Sequence, residues 1–503
     1  MKINSIRYNF KWTTSSFLIT TIVTMLLFPF LVINLGENKY GFLIFLTTIN
    51  GLSVIADFGL GDSSIKFISE SYLKQDFNKI YKIISNGTIL YFLIALTMLS
   101  LIYIFKSNII LLIKDLKYDF LQAQNLLVLN FIAFAIRLSF SAFSSIPKAI
   151  QRYDLSSKIV VIESILRVLS YVLTIKLGYG LSGIIYSEIF LSIFSSSCYF
   201  IISLKIFKNL KLSFIPDQIV IKEISGYSFY IFISQLLGVF WQYTDRILLV
   251  YFVGTTALTF FSIPQQIVFK VLGLIAVGFS VLFPKFSSLN SNHSQIKLLF
   301  QKFTYLSLSV SIILFSSMSF VISDFLSIYI SSDFSQNAGQ ISIILALSCI
   351  ARGAFIVYEN LFKGIGKPKY NTVITFFSVL IIVIIDILLI PKMGINGAAY
   401  AYLFSPIIGI FTLFFIWKKV LKNNSYKTLI INIIIPLFLT YIFVFAGIGL
   451  KQKLELAVSW LNIILTFLFS SAFISLLLCF YYRYFSTDVY ENYIKPLMIK
   501  SKR

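Results

Sequence analysis

Charge is scarce in this chain: Asp, Glu, Lys and Arg make up 12% of its 503 residues, while 58% are hydrophobic and the mean hydropathy is +0.88. Such values lie far outside the range of soluble domains and make the bilayer the main solvent. Long polar stretches are also missing. The longest, Gly59 to Lys82 and Arg483 to Arg503, run to about two dozen residues, too short for a separate soluble domain. Cysteine is reduced to Cys198, Cys349 and Cys479, all in apolar stretches at no metal-ligand spacing. This excludes a disulfide framework or a zinc site and makes them packing residues. Histidine is reduced to His293, within the polar stretch Pro284 to Lys302, so a His-based metal cluster or a triad is excluded. No cofactor, metal or catalytic group is expected.

Apolar runs are abundant. About fourteen segments of roughly twenty residues, each long enough to span a bilayer as a helix, can be placed between residues 13 and 482. The first is too long for a signal-peptide core and lacks a small-residue cleavage site, so it is expected to be a retained span. With a cytoplasmic N-terminus, the inside segments carry more than three times as many Lys and Arg as the outside ones. Both termini are therefore expected in the cytoplasm. The formal charge of +22 is spread over short loops and tails, which suits an anionic leaflet and argues against nucleic acid as a partner.

An internal repeat organises the chain. Gly180-Leu-Ser-Gly183-Ile-Ile-Tyr186 and Gly394-Ile-Asn-Gly397-Ala-Ala-Tyr400 share one pattern at an offset of about 215 residues, and the pairs Lys148/Lys363 and Gly36/Gly254 fall at nearly the same offset. Each copy holds six spans, an even number, so the copies enter the membrane alike and should be related by a pseudo-twofold axis along its normal. The fold class is thus all-α and polytopic. It comprises a six-helix bundle at 1–204, a cytoplasmic linker at 205–224, a second bundle at 225–418, two additional transmembrane helices within 428–482 and a cytoplasmic tail at 483–503. The ligand pathway is expected between the halves.

Five basic residues sit inside spans: Arg137, Arg167, Arg246, Lys270 and Arg352. A central arginine costs about 2.5–3.5 kcal/mol in the membrane even on the lenient insertion scale, so it should not face lipid. Arg137 and Arg352 fall at matching points of the repeat, each on a polar stripe: Asn130, Arg137, Ser141 and Ser144 in one span, Ser348, Arg352, Glu359 and Lys363 in the other. Glu163, Arg167, Ser170 and Thr174 form a further stripe. Others are Ser228, Gln235, Gln242 and the pair Asp245-Arg246, and Ser262, Gln266 and Lys270. One reading is a wet cationic lumen that takes an anionic head group through arginine's fork of donors. The other is that Glu163 and Asp245 neutralise Arg167 and Arg246 and merely tie helices together. Arg137, Arg352 and Lys270 have no obvious neighbour of opposite sign and favour the first reading. Glu163, Glu188, Asp245 and Asp386 are candidates for carrying a coupling ion or proton.

Gly36-x-x-x-Tyr40-Gly41, Asp57-Phe-Gly59-Leu60 and Asp245-Arg246 followed by Leu248-Leu249 and Gly254, taken in order, resemble the Wzx-type O-antigen flippases. These form the polysaccharide-transporter branch of the multidrug/oligosaccharidyl-lipid/polysaccharide exporter superfamily. The resemblance covers essentially the whole chain. It implies a V-shaped pair of six-helix bundles in the bacterial inner membrane working by alternating access. Its substrate would be an undecaprenyl-diphosphate-linked oligosaccharide, an O-antigen or capsule repeat unit, moved from the cytoplasmic to the periplasmic leaflet under an ion gradient. Implied partners are membrane lipids, a polysaccharide polymerase and a chain-length regulator. A drug/cation antiporter of the same superfamily would favour carboxylates in its lumen and twelve spans. A membrane-embedded glycosyltransferase or polymerase would need catalytic carboxylates or a sizeable extramembrane loop.

Overall fold

The computed structural model describes residues 6–115, 118–207, 217–280, 282–289, 293–367, 369–420, 430–454 and 457–486. Most of the tail at 483–503 and the middle of the linker at 205–224 lie outside these ranges. Among the described residues the fold is helical throughout, with no strand. A helix satisfies every backbone donor and acceptor within one segment, the requirement that hydrocarbon imposes.

The chain divides into two compact units, 1–259 and 260–503. In the first run α1 (Ile6–Leu35), α2 (Glu37–Leu52), α3 (Leu60–Leu73), α4 (Phe77–Leu111), α5 (Phe120–Ser139), α6 (Ser141–Ala149), α7 (Tyr153–Lys176), α8 (Gly180–Ile206) and α9 (Gln218–Phe252). The helix α10 (Thr255–Phe279) begins at the end of this unit and leads into the second. There follow α11 (Leu282–Ser288), α12 (His293–Tyr329), α13 (Ser332–Gly364), α14 (Lys369–Met393), α15 (Ile395–Phe404), α16 (Pro406–Phe415), α17 (Ile435–Leu454) and α18 (Trp460–Phe485).

Twelve helical stretches are long and apolar enough to cross a membrane. Among the described residues the expected fourteen segments fall largely on helices, but α7 and α9 are not among the twelve. Both carry charge within the expected span, α7 through Glu163 and Arg167 and α9 through Asp245 and Arg246. The chain is a multi-pass membrane protein.

The repeated glycine turns have a common geometry. Gly180 and Gly394 sit at φ +54 and +58 degrees, a region that an L side chain rarely adopts. Gly183 and Gly397 are close-approach positions: a Cβ at Gly183 would meet Thr174 at 2.6 Å, and one at Gly397 would meet the backbone of Leu389 at 2.6 Å. Both copies of the pattern therefore fold one helix tightly back on its predecessor.

In the second unit α13 is central, packing against α11, α12, α15 and α16. Gly353 lets α12 approach so closely that a Cβ would lie 1.7 Å from Ser311 Oγ, and Ser307 donates to the Gly353 carbonyl at 2.6 Å. The terminal helices dock on this pair: Ser471 donates to Ser317 at 2.9 Å and Tyr441 to the Leu347 carbonyl at 3.1 Å.

The polar stretch after the second span begins with a turn through Asp57 into the amphipathic helix α3. Phe58 and Gly59 both take the left-handed conformation, ending one helix and starting the next. The Asp57 carboxylate accepts the Gly61 N–H at 3.2 Å, the Tyr91 hydroxyl at 2.5 Å and Gln235 Nε2 at 3.5 Å. It thus caps α3 and ties α4 and α9 to the break. Asp57→Ala should lower the thermal midpoint in detergent by several degrees, from losing about 2 kcal/mol or more of capping and charge-assisted bonding. Tyr91→Phe should cost about half of that. An unchanged midpoint for Asp57→Ala would show that the cap carries no stability.

Candidate functional site

The polar stripes of the sequence are largely consumed by the helices themselves. The hydroxyls of Ser170 and Thr174 bond to carbonyls one turn back on α7. Asn130 donates to the Leu46 carbonyl on α2 at 3.0 Å, and Ser228 pairs with Ser63 at 2.7 Å. What stays together is ionic. In the first unit α5, α7 and α8 bring Arg137, Glu163, Arg167 and Glu188 into one cluster.

Arg137 occupies the last turn of α5, where the helix dipole favours a cation, just before the kink at Phe140. On α7, Glu163, Arg167 and Tyr171 stand at i, i+4 and i+8 and so share a face. Glu163 Oε1 accepts from Nη2 of Arg137 at 3.0 Å and Nη2 of Arg167 at 2.7 Å. Glu188 divides its oxygens, Oε2 taking Arg137 Nη2 at 2.9 Å and Oε1 taking Arg167 Nε at 2.8 Å. The Tyr171 hydroxyl also donates to Glu188 Oε1, at 2.6 Å.

Arg137 was expected to stand without a neighbour of opposite sign. That expectation is corrected, because Glu163 and Glu188, from helices far along the chain, both reach it. Arg167 pairs with Glu163 as its spacing predicted, and with Glu188 as well. Two residues expected to hold substrate and two expected to carry an ion are therefore one constellation. Its exposure is uneven: the side chains of Arg137 and Arg167 are 36% and 32% exposed, those of Glu163 and Glu188 only 16% and 14%. The arginine side chains are thus half-buried and the carboxylates more deeply buried. Tyr171, the fifth member, was not singled out from sequence, although its place on the Glu163 stripe was the available signal.

The other candidates lie apart from this cluster. On α9 the Asp245 carboxylate is buried and takes the backbone N–H of Arg246 at 2.7 Å, while the Arg246 guanidinium lies over Tyr243 at 5.6 Å. In the second unit Arg352 donates to Ser405 Oγ at 2.6 Å, at the break between α15 and α16. Its guanidinium lies over the rings of Phe269 and Tyr402 at 5.6 and 5.5 Å, a cation–π cradle. Gln265 holds Tyr402 in place by donating to its hydroxyl at 2.9 Å. Lys270, beside Phe269, is half-buried on α10, and Asp386 is fully buried on α14. Among the described residues no three His, Cys, Asp or Glu side chains are grouped to hold a metal ion. Just before the expected fifth span, Arg152 grips Asp154 through Nε and Nη2 at 2.8 and 2.9 Å, which holds that carboxyl below its ordinary range.

Comparison with known proteins gives three kinds of likeness. Residues 6–290 match the family described as polysaccharide biosynthesis protein. The uncharacterized membrane protein MJ1068 of Methanocaldococcus jannaschii is 26% identical over 411 residues, 77% of this chain and 79% of that protein. Among solved structures, lipid II flippase MurJ in an inward closed conformation superposes with a TM-score of 0.70 at 16% identity, covering 94% of this chain and 98% of that one. A point mutant of the Vibrio cholerae MATE transporter VcmN superposes at 0.59 with 14% identity, over 82% and 97%. An inward-facing multidrug resistance MATE transporter of the MOP superfamily superposes at 0.58 with 16% identity, over 82% and 96%. The fold is thus one shared with MurJ and these MATE transporters, and the chain belongs to the polysaccharide biosynthesis protein family.

Proposed function

We propose that this protein flips a lipid-linked oligosaccharide, with a polyprenyl diphosphate such as undecaprenyl diphosphate as the carrier, from the cytoplasmic to the periplasmic leaflet of a bacterial inner membrane. Both termini are cytoplasmic in this reading, about fourteen spans cross the bilayer, and the substrate is an O-antigen or capsule repeat unit. The observation that carries it is the ionic cluster of the first unit, in which Arg137 and Arg167 are half-buried and their carboxylates more deeply buried. Guanidinium forks match phosphate oxygens in geometry as well as charge. Arg352, Arg246 and Lys270 extend the same chemistry along the chain. Glu163, Glu188, Asp245 and Asp386 are the candidates for ion coupling. A polymerase and a chain-length regulator would act on the delivered unit. A drug/cation antiporter would instead leave its carboxylates the more exposed groups, the reverse of the burial found here.

The test is reconstitution. Vesicles holding the full chain and a polyprenyl-diphosphate-linked oligosaccharide should expose the sugar to an external lectin at least about tenfold faster than protein-free vesicles, because the polar head group crosses hydrocarbon very slowly unaided. Equal rates, together with gradient-driven extrusion of ethidium, would replace the flippase reading with the antiporter.

A further inference from the structure

We infer that the arginine cluster of the first unit is also a proton site: when the arginines engage a diphosphate, Glu163 is released and takes up one proton from water. This rests on the flippase reading and deepens it. The cluster as it stands is neutral, two guanidinium groups against two carboxylates. A diphosphate diester adds two negative charges. If both arginines turned to it while both carboxylates stayed ionised, the helices would hold an uncompensated double negative charge, which a low-dielectric interior strongly disfavours. Protonation of a carboxylate is the available compensation, since its neutral form needs no counter-ion.

The hydrogen bonds single out Glu163. Among the described residues its only donors are Arg137 and Arg167, both on the one oxygen Oε1, so losing them leaves it with none. Glu188 keeps a partner, because the Tyr171 hydroxyl remains on its Oε1. Around Glu163 stand Arg137 from α5, Arg167 from its own helix, and Glu188, Cys198 and Tyr199 from α8. The other helices against α7, α1 and α6, bring no ion pair to it among the described residues. With the arginines gone, the charged neighbour left is Glu188, of like sign. The balance is one proton gained from solvent by the Glu163 carboxylate on binding and one returned when the diphosphate leaves and the arginines close again. Binding and protonation are thereby linked, so binding strengthens as pH falls.

Calorimetry on the detergent-solubilised full chain tests this. The probe is farnesyl-diphosphate-linked N-acetylglucosamine, a diester that does not itself titrate near neutral pH, and binding heats are compared in two buffers of different ionisation enthalpy. The wild type and Glu163→Asp should each take up about one proton per ligand, and Glu163→Gln less than about a fifth of that. Ligand binding by the wild type without proton uptake would overturn the inference and leave the flippase reading standing. Full uptake by Glu163→Gln would overturn the assignment to Glu163. No binding by the wild type, with no flipping in vesicles, would overturn the flippase reading beneath it.

Discussion

Replacing Arg137 with alanine is expected to abolish delivery of lipid-linked sugar to the outer face while the protein still reaches the membrane. Arg137 is the most exposed member of its cluster and the one that bridges Glu163 and Glu188 from a third helix. Losing a charge-assisted contact to phosphate removes about 2–3 kcal/mol, a fall of roughly 30- to 150-fold in transport rate. Arg137→Lys should recover only part of this, since an ammonium is a point charge without the fork that serves phosphate and carboxylate together. A structural contribution is expected as well, because the carboxylates, 14% and 16% exposed, must then share Arg167 alone. The double change Arg137→Ala with Glu163→Gln separates the two. It restores neutrality and should recover most of the thermal stability, yet leave transport lost. Full surface polymer from a well-expressed Arg137→Ala protein would remove this residue from the proposed site.

Much of the fold was legible because hydrophobic length carries it. Wherever a run of about twenty apolar residues stood in the sequence, a helix stands in the structure. The glycine patterns were legible for a local reason too, since Gly180 and Gly394 need a left-handed φ and Gly183 and Gly397 leave no room for a Cβ. Polar residues were harder to read. A serine on a helical stripe looks alike whether it lines water or bonds its own backbone, and Ser170 and Thr174 do the latter. The partners of Arg137 are 26 and 51 residues away in sequence, beyond what helical spacing reports. The i, i+4 pair Glu163–Arg167 was within its reach and was seen. Asp57 belongs with the harder group: its capping depends on a break in the helix that Phe58, a residue without turn preference, helps to make by adopting φ 48 degrees.

The sequence repeat treats Arg137 and Arg352 as equivalents, and their surroundings differ enough to predict different phenotypes. Arg352 donates to a serine hydroxyl and lies against two aromatic faces, and Gln265 in turn holds Tyr402. Rings bind a cation without neutralising it, and the guanidinium also interacts electrostatically with the Glu359 carboxylate on the same helix. Arg352→Ala is therefore expected to lower transport by about 10- to 100-fold, the worth of one charge-assisted contact. Its thermal midpoint should move less than that of Arg137→Ala, which breaks a shared ionic network. Ser405→Ala and Gln265→Leu should each lower transport by a smaller factor, about 3- to 10-fold, since they orient the arginine or its ring and do not supply charge. Transport assayed in vesicles alongside thermal unfolding of the same preparations decides the matter. If Arg352→Ala transports at the wild-type rate, or if Gln265→Leu is as damaging as Arg352→Ala, then the cradle serves packing and the cation within it is not part of the path.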